Sequence, residues 1–489
     1  MKIGIKTTAT IGLLFLMGIS YGQKKKKNAF ELTFEITNVK NSEVYIAHYY
    51  AGKTYIDDTL YPLSAKSPHT FVWKKDTMPP RGVYILAGEN KAKYMDFFID
   101  SSRYFTIFFD YDRYNKGDTG YMKAENSPEN TVAFDFMLQM ALFDKNGREI
   151  MTQIKHEQDS TKYPSQIVID SLRKEMSIIR DSVAAYMENF LAHNSHTLFG
   201  KLQKLMQDVP VPLAPEGADS NWRYQYYINH YWDNCDFTDE ALIYSPVFTT
   251  ILENYYDEKK ALIPIVDTII RYTEMLIEKT TAANNRELFK YIVWFVTHKY
   301  EISQYIGQDA IFVHMVKNYY EKGRCPWVDP AVLERMVERA DILDKILLGK
   351  KAPELIMPDS NNAWHSLYEF NTKYTILWFW NLDCGHCKTA TPKLIELYNR
   401  AHKELDFEVF AVCEGSDTTR WKKAIIEKGL PWLNVGRNTA NLNYHTVYDV
   451  TTTPSLYVLD KEKRIICKKI DVDHLEEFLR NDMAGKKMY

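Results

Sequence analysis

The sequence predicts a multidomain chain: a small antiparallel β domain, a mainly helical middle domain and a C-terminal α/β domain. Three observations predict it. Apolar residues alternate with a period of two through residues 28–125, and recur at helical spacings of three and four through 126–345. Through 346–489 strand-like and helix-like runs alternate. At 489 residues the chain is also too long for a single hydrophobic core.

In the first region AFELTFEIT puts Phe30, Leu32, Phe34 and Ile36 on one face. The runs EVYIAHYY, GVYILAGE, MDFFID and YFTIFFDYD follow, separated by the turn-formers of VKNSE, MPPRG and IDSSR. No helix-length amphipathic segment intervenes, so a small antiparallel sandwich or barrel is expected. Near residue 130 the period changes. Leu172, Met176, Ile179, Val183, Tyr186 and Phe190 form one stripe down a long helix. Ile265, Ile269, Tyr272 and Leu276 repeat the device, as do Leu288, Tyr291, Ile292, Phe295 and Val296. Breaks are expected at VPVPLAPEG (209–217) and GRCPWVDP (323–330). No fixed-period repeat supports a solenoid.

The third region opens at LLGKKAPEL. YTILWFWNL (374–382) reads as a buried strand, and helical spacing runs from Cys384 to about Leu405. DFEVFAVC is a second strand, and a helix through Trp421, Ala424 and Ile425 follows it. SLYVLD and RIICKKI are strands around the turn KEK, and HLEEFLRND closes with a helix. Such alternation marks an α/β layer.

Composition excludes some partners. A formal charge of −3 gives no basic face for nucleic acid. The 34 Tyr and 24 Phe read as strand and helix-interface residues, with a sugar-binding surface as the alternative. The N-terminus has the plan of a cleaved secretory signal over residues 1–22. Lys2 and Lys6 precede an apolar run from Ile11 to Ile19, and the small residues Ser20 and Gly22 precede a cut before Gln23. The run is short for a bilayer span, and an uncleaved anchor is the other reading. The mature chain is thus expected to be exported, soluble, and periplasmic or in the cell envelope, with Lys24–Lys27 as a solvated leader. Six cysteines are too few for a disulfide scaffold in an exported chain of this size. Cys413 and Cys467 lie in apolar strand-like runs and are expected to be buried, inert thiols. Whether Cys235 and Cys325 pair depends on a distance that the sequence does not carry.

The chemistry concentrates in WNLDCGHCKTATPKL (380–394), where Cys384 and Cys387 stand at the junction of a buried strand and a helix. A cysteine at a helix N-terminus faces unpaired amides and the positive end of the helix dipole, which lower its pKa. Cys387, one turn in on the same face, can resolve a mixed disulfide formed at Cys384. A zinc site needs four ligands, and no second C-x-x-C or H-x-x-x-H is present. On a continuous helix His402 would lie roughly 24 Å away. Covalent haem needs C-x-x-C-H, and Lys388 takes the His position. The redox dithiol is the reading that survives, with no metal and no organic cofactor.

Residues 346–489 resemble an envelope-type thioredoxin-fold domain, the group that includes the TlpA and ResA thiol–disulfide oxidoreductases. The resemblance rests on the strand ILWFW, on Cys384-Gly385-His386-Cys387, on Pro392 and on TTTPSLYVLD. It implies that Pro454 is the family's cis-proline, and that Thr453 and Pro454 form the edge where substrate docks. The motif CGHC is also similar to that of protein disulfide isomerases, which implies that a protonated His386 stabilises the Cys384 thiolate. That likeness points toward oxidase or isomerase chemistry, and the TlpA and ResA likeness toward reduction. Three positions depart from the family pattern. Asp383 replaces the Trp before the first cysteine, Trp378 stands where thioredoxins carry a buried acid, and Ala390 where ResA-like proteins carry Glu. Asp383 and Trp380 are candidate modulators. Asp383 is expected to cap the helix, with a proton-transfer base for Cys387 as the alternative, and its charge would raise the Cys384 pKa. Peroxide reduction needs a T-x-x-C frame, and residues 381–384 read NLDC.

Residues 28–125 resemble the small β domain found ahead of such modules, most clearly at AENSPENTVAFDF. The helical region resembles an uncharacterised domain of the same chains, most clearly at YINHYWDNCDFTDEALIYSPVF (227–248). HYWDN within it reads as a structural crossing of helices, with a sugar or metal site as the alternative. The combination implies an exported thiol–disulfide oxidoreductase acting on protein thiols and disulfides, recycled by a membrane-bound redox partner. The upstream regions would then present the dithiol to its partners or hold a homodimer. The competing reading is a non-enzymatic envelope binding or scaffold protein that uses the thioredoxin domain as a docking module.

Overall fold

The computed structural model describes residues 29–486, apart from 39–41, 119, 161–163, 258–262, 264, 416 and 437–443. The signal segment 1–22, the lysine run and part of the VKNSE turn lie outside the described residues. The chain forms two compact units that meet in sequence at Gln203 and Lys204.

The first unit begins with two sheets. One has the order Pro62–Ser64, Ser67–Lys75, Phe30–Thr37, Tyr104–Asp110, Met122–Glu125, and the other Lys53–Leu60, Val44–Tyr50, Gly82–Ala87, Lys93–Ile99. Their inner faces meet through aromatic side chains, with Phe34 edge-on to Phe97 and Trp73 tilted against Tyr84. Every pairing is antiparallel except one: Phe30–Thr37 runs parallel to Tyr104–Asp110. The expectation of a purely antiparallel domain is corrected there. The long excursion between those two strands supplies the crossover that a parallel pair requires. Strand Lys53–Leu60 escaped the sequence reading because most of its residues are exposed and lack alternation.

Two long helices follow, Pro128–Ser160 and Gln166–Asn194. They pack antiparallel, with Phe136 against Phe190 and Phe143 against Tyr186. The stripe in the second helix is shallower than expected, since only Ile169, Leu172 and Phe190 are buried. Asn130, within AENSPENTVAFDF, ties the helices to the sheets. It exchanges two 2.8 Å hydrogen bonds with the backbone of Phe98, pairing both ends of its amide.

The second unit starts with the helices Trp222–His230, Pro246–Tyr255, Val266–Ala282, Arg286–Glu301, Asp309–Met315 and Pro330–Lys345. Trp232 of HYWDN is 4% exposed and packs on Phe248 and Tyr255, while His230 pairs with Asp233. These contacts pack the segment against the helix Pro246–Tyr255, and no cluster of metal-ligating side chains occurs among the described residues. Ile265 falls off the expected stripe. It occupies the N-cap of Val266–Ala282 and is exposed, whereas Ile269, Tyr272 and Leu276 are buried.

A five-stranded sheet then forms in the order Leu433–Gly436, Phe407–Glu414, Tyr374–Asn381, Ser455–Leu459, Ile465–Lys468. The first three strands are parallel and the last two antiparallel. Helices Gly385–Ala401 and Val472–Met483 join through ion pairs of Lys393 with Asp473 and of Arg400 with Glu476. The fold is therefore three-part as expected, with a β-rich start, a helical middle and a thioredoxin-like end. Cys413 and Cys467 are buried, and Cys235 and Cys325 stand as free thiols.

The helical segment and the sheet share a buried ion pair. Lys468, 4% exposed in its side chain, pairs with Asp309 and also donates to the carbonyl of Ile346 at 2.7 Å. Burial holds the pKa of this lysine below its ordinary value, and the Asp309 carboxylate opposes that shift. Removing one partner strands the other charge in a dry site. Lys468→Ala is expected to destabilise the second unit by about 3–5 kcal/mol in urea denaturation. The apolar pair Lys468→Met with Asp309→Leu is expected to recover most of that loss.

Candidate active site

The strand Tyr374–Asn381 is apolar almost throughout because it lies in mid-sheet, between Phe407–Glu414 and Ser455–Leu459. At its end the side chain of Asn381 accepts the amide of Asp383 at 2.9 Å and turns the chain. The helix begins at Gly385, and Cys384 is its N-cap, with extended backbone angles. Its sulfur accepts the amide of Cys387 at 3.2 Å, the bond that a Ser or Asp cap would take. The expectation that Asp383 caps the helix is corrected here. Asp383 lies one residue too early, and its carboxylate turns outward to Arg420 in a forked pair at 2.7 and 3.3 Å.

These contacts separate the two thiols. Partial burial opposes a charge on Cys384, but hydrogen bonds from Cys387, Thr453 and the amides of Cys387 and His386 outweigh it and lower its pKa. Cys387 is 2% exposed, and burial together with its neighbour's sulfur pushes its thiol up to about 12. The outer sulfur therefore loses its proton more readily than the inner one. Protonated, Cys384 donates to the Thr453 carbonyl at 3.0 Å, which sets the Thr453–Pro454 edge against that outer sulfur. The Thr453–Pro454 peptide bond is cis.

The other singled-out residues are placed as follows. His386 is exposed on the first turn of the helix. Trp380 is 2% exposed and belongs to the core cluster that also holds Trp378 and Cys387. It backs the dithiol from within the sheet and does not reach the surface. Arg420 holds the Asp383 carboxyl below the usual carboxylate range, so the acid beside Cys384 is charged but compensated. Thirty-seven positions separate that pair, and no local motif announces it. Trp378 and Ala390 line a cleft of about 430 Å3 beside Pro454. No sequence motif marks the cleft's second wall, which comes from Glu301–Gln304 and Arg339 of the helical region.

A buried strand that delivers C-x-x-C to a helix N-terminus, opposite a cis-proline, defines a thioredoxin-like domain. Residues 348–467 match the model of the AhpC/TSA family, and residues 170–345 match a domain of unknown function, DUF5106. The thiol-disulfide oxidoreductase ResA of Bacillus thuringiensis subsp. konkukian is 26% identical over 140 residues, covering 28% of this chain and 79% of that protein. A domain of a possible thiol-disulfide isomerase from Cytophaga hutchinsonii is 39% identical, covering 28% of this chain and 95% of that one, with a TM-score of 0.27. A thioredoxin-like protein from Bacteroides caccae is 22% identical over 56% of this chain and 99% of that one, with a TM-score of 0.46. The C-terminal part belongs to the AhpC/TSA family of thioredoxin-like domains and is homologous to ResA-type thiol–disulfide oxidoreductases. It follows a β region and a helical region of the DUF5106 type. No helix among the described residues is long and apolar enough to cross a membrane.

The split between the thiols has a direct readout. At neutral pH iodoacetamide is expected to alkylate Cys384 and spare Cys387. The Cys384 rate should climb with pH through its lowered pKa and level off while Cys387 is still protonated. Arg420→Ala leaves Asp383 uncompensated, and is expected to move the Cys384 midpoint upward by a few tenths of a pH unit, the scale of a solvent-screened charge.

Proposed function

We propose that the protein is an exported thiol–disulfide oxidoreductase that exchanges disulfides with protein clients through Cys384 and Cys387. The observation that carries this reading is the unequal pair of thiols: a helix-capping, hydrogen-bonded Cys384 and a buried, proton-holding Cys387. In the reducing direction the Cys384 thiolate attacks one sulfur of a client disulfide and expels the other as a thiolate. Cys387 then gives its proton to the expelled client thiolate and attacks the Cys384 sulfur, releasing the second client thiolate. Two electrons pass to the client, and a Cys384–Cys387 disulfide remains. Run backward, the same steps oxidise a client dithiol. The dithiol is the whole redox group, with no metal or organic cofactor, and a membrane-bound partner in the envelope recycles it. Thr453 and Pro454 dock the client backbone beside the sulfur. His386, exposed next to Cys384, stabilises the thiolate when protonated.

Substitution of the two cysteines tests the reading. Cys384→Ser is expected to abolish insulin reduction, and Cys387→Ser to accumulate a mixed disulfide that stalls on Cys384 and is seen by mass spectrometry. Insulin reduction at the wild-type rate by Cys384→Ser would leave the domain as a docking module. Titration against glutathione separates the directions. A potential near about −270 mV marks an electron donor and one near about −180 mV an isomerase. His386→Ala is expected to shift the potential toward the reducing side, because the thiolate loses the stabilisation that the likeness to disulfide isomerases assigns to this side chain.

A further inference from the structure

Two clefts meet at Glu301 and Arg339, which line both. The first is the cleft of about 430 Å3 beside Pro454. The second, about 530 Å3, lies within the helical region, where Trp294, Trp327, Val332 and Met336 make its surface largely apolar. Trp294 is 43% exposed and Val332 38%, so large apolar side chains stand open there. Both volumes fall in the range of pockets that enclose ligands, about 300–1,000 Å3.

The junction is polar and built. Arg339 Nη1 donates to Glu301 at 3.1 Å, which fixes the guanidinium between the clefts. Asp449 faces it from the C-terminal domain. It is 7% exposed, yet its Oδ2 has no hydrogen-bond partner among the described residues, and neither does Nε of Arg339. Arg339 and Lys469 stand 3.9 and 3.8 Å from this carboxylate. A buried donor and acceptor without partners are costly unless a ligand completes them. Both side chains line the polar cleft, and together they complement a peptide group, whose carbonyl accepts from the guanidinium and whose N–H donates to the carboxylate.

We propose that the helical region is the client-reading half of the active site. The polar cleft takes the backbone of the client segment next to its reacting cysteine, and the apolar cleft takes a hydrophobic side chain further along that segment. The occupant is a polypeptide because the path starts at the Pro454 edge, passes a junction suited to an amide and ends in an apolar hollow. The inference rests on the oxidoreductase reading of the dithiol.

Two variants at surface positions probe the path without removing core. Gln304→Trp places a ring in the polar cleft from an exposed loop, and Val332→Asp puts a charge into the apolar one. The reduced full chain is mixed with insulin or with bis(hydroxyethyl) disulfide, and the second-order rate constant of its oxidation is read by tryptophan fluorescence. Each variant is expected to lower the ratio of the insulin constant to the small-disulfide constant by about tenfold. A ratio held at the wild-type value in both variants overturns the inference and leaves the oxidoreductase reading standing. Wild-type protein that reacts with neither disulfide overturns both.

Discussion

The hydrogen bond from the Cys387 amide to the Cys384 sulfur organises the site. A helix start leaves amides without partners, and here the atom that satisfies one of them is the sulfur proposed to react. The bond that caps the helix is also one of the contacts that lower the thiol pKa, beside those from the Cys387 and Thr453 side chains. Everything around it serves to hold that geometry. The apolar strand Tyr374–Asn381 brings the turn to a fixed place in mid-sheet, Asn381 bends the chain, and the Thr453 carbonyl meets the sulfur from the neighbouring strand end.

The same economy explains how two chemically identical side chains differ in proton affinity. They are three residues apart, but one lies at the mouth of the helix and the other inside the core cluster with Trp378 and Trp380. Burial favours the neutral thiol at Cys387, and hydrogen bonds favour the thiolate at Cys384. The neighbouring acid, Asp383, would spoil this contrast if it stood alone. Arg420 absorbs its charge from a separate helix, so the dipole and the amides keep control of the outer sulfur.

The helical region enters this picture as structure around the site. The Lys468–Asp309 pair and the Ile346 carbonyl join it to the edge strand of the sheet, in a place where water does not screen the charges. Held there, its residues Glu301–Gln304 and Arg339 become one side of the cleft beside Pro454. A tethered module free to swing could not define such a wall.

By itself the sequence determined the local parts: periods of two and then of three and four, and a buried strand running into C-G-H-C and a helix. It also marked Pro454 through its TTTPSLYVLD frame. These are legible because they depend on neighbours a few residues apart, through side-chain alternation, helical spacing and capping. It could not set which residue is the cap. Asp383 is the better capping residue by type, but the backbone places Cys384 at the half-turn position and sends the carboxylate to Arg420. Nor could it show that Lys468, polar in a strand read as RIICKKI, is buried, or that Arg339 reaches Asp449. Those facts arise where distant segments pack together. Tertiary structure decided them because the energy of a charge depends on what surrounds it, which no local pattern records.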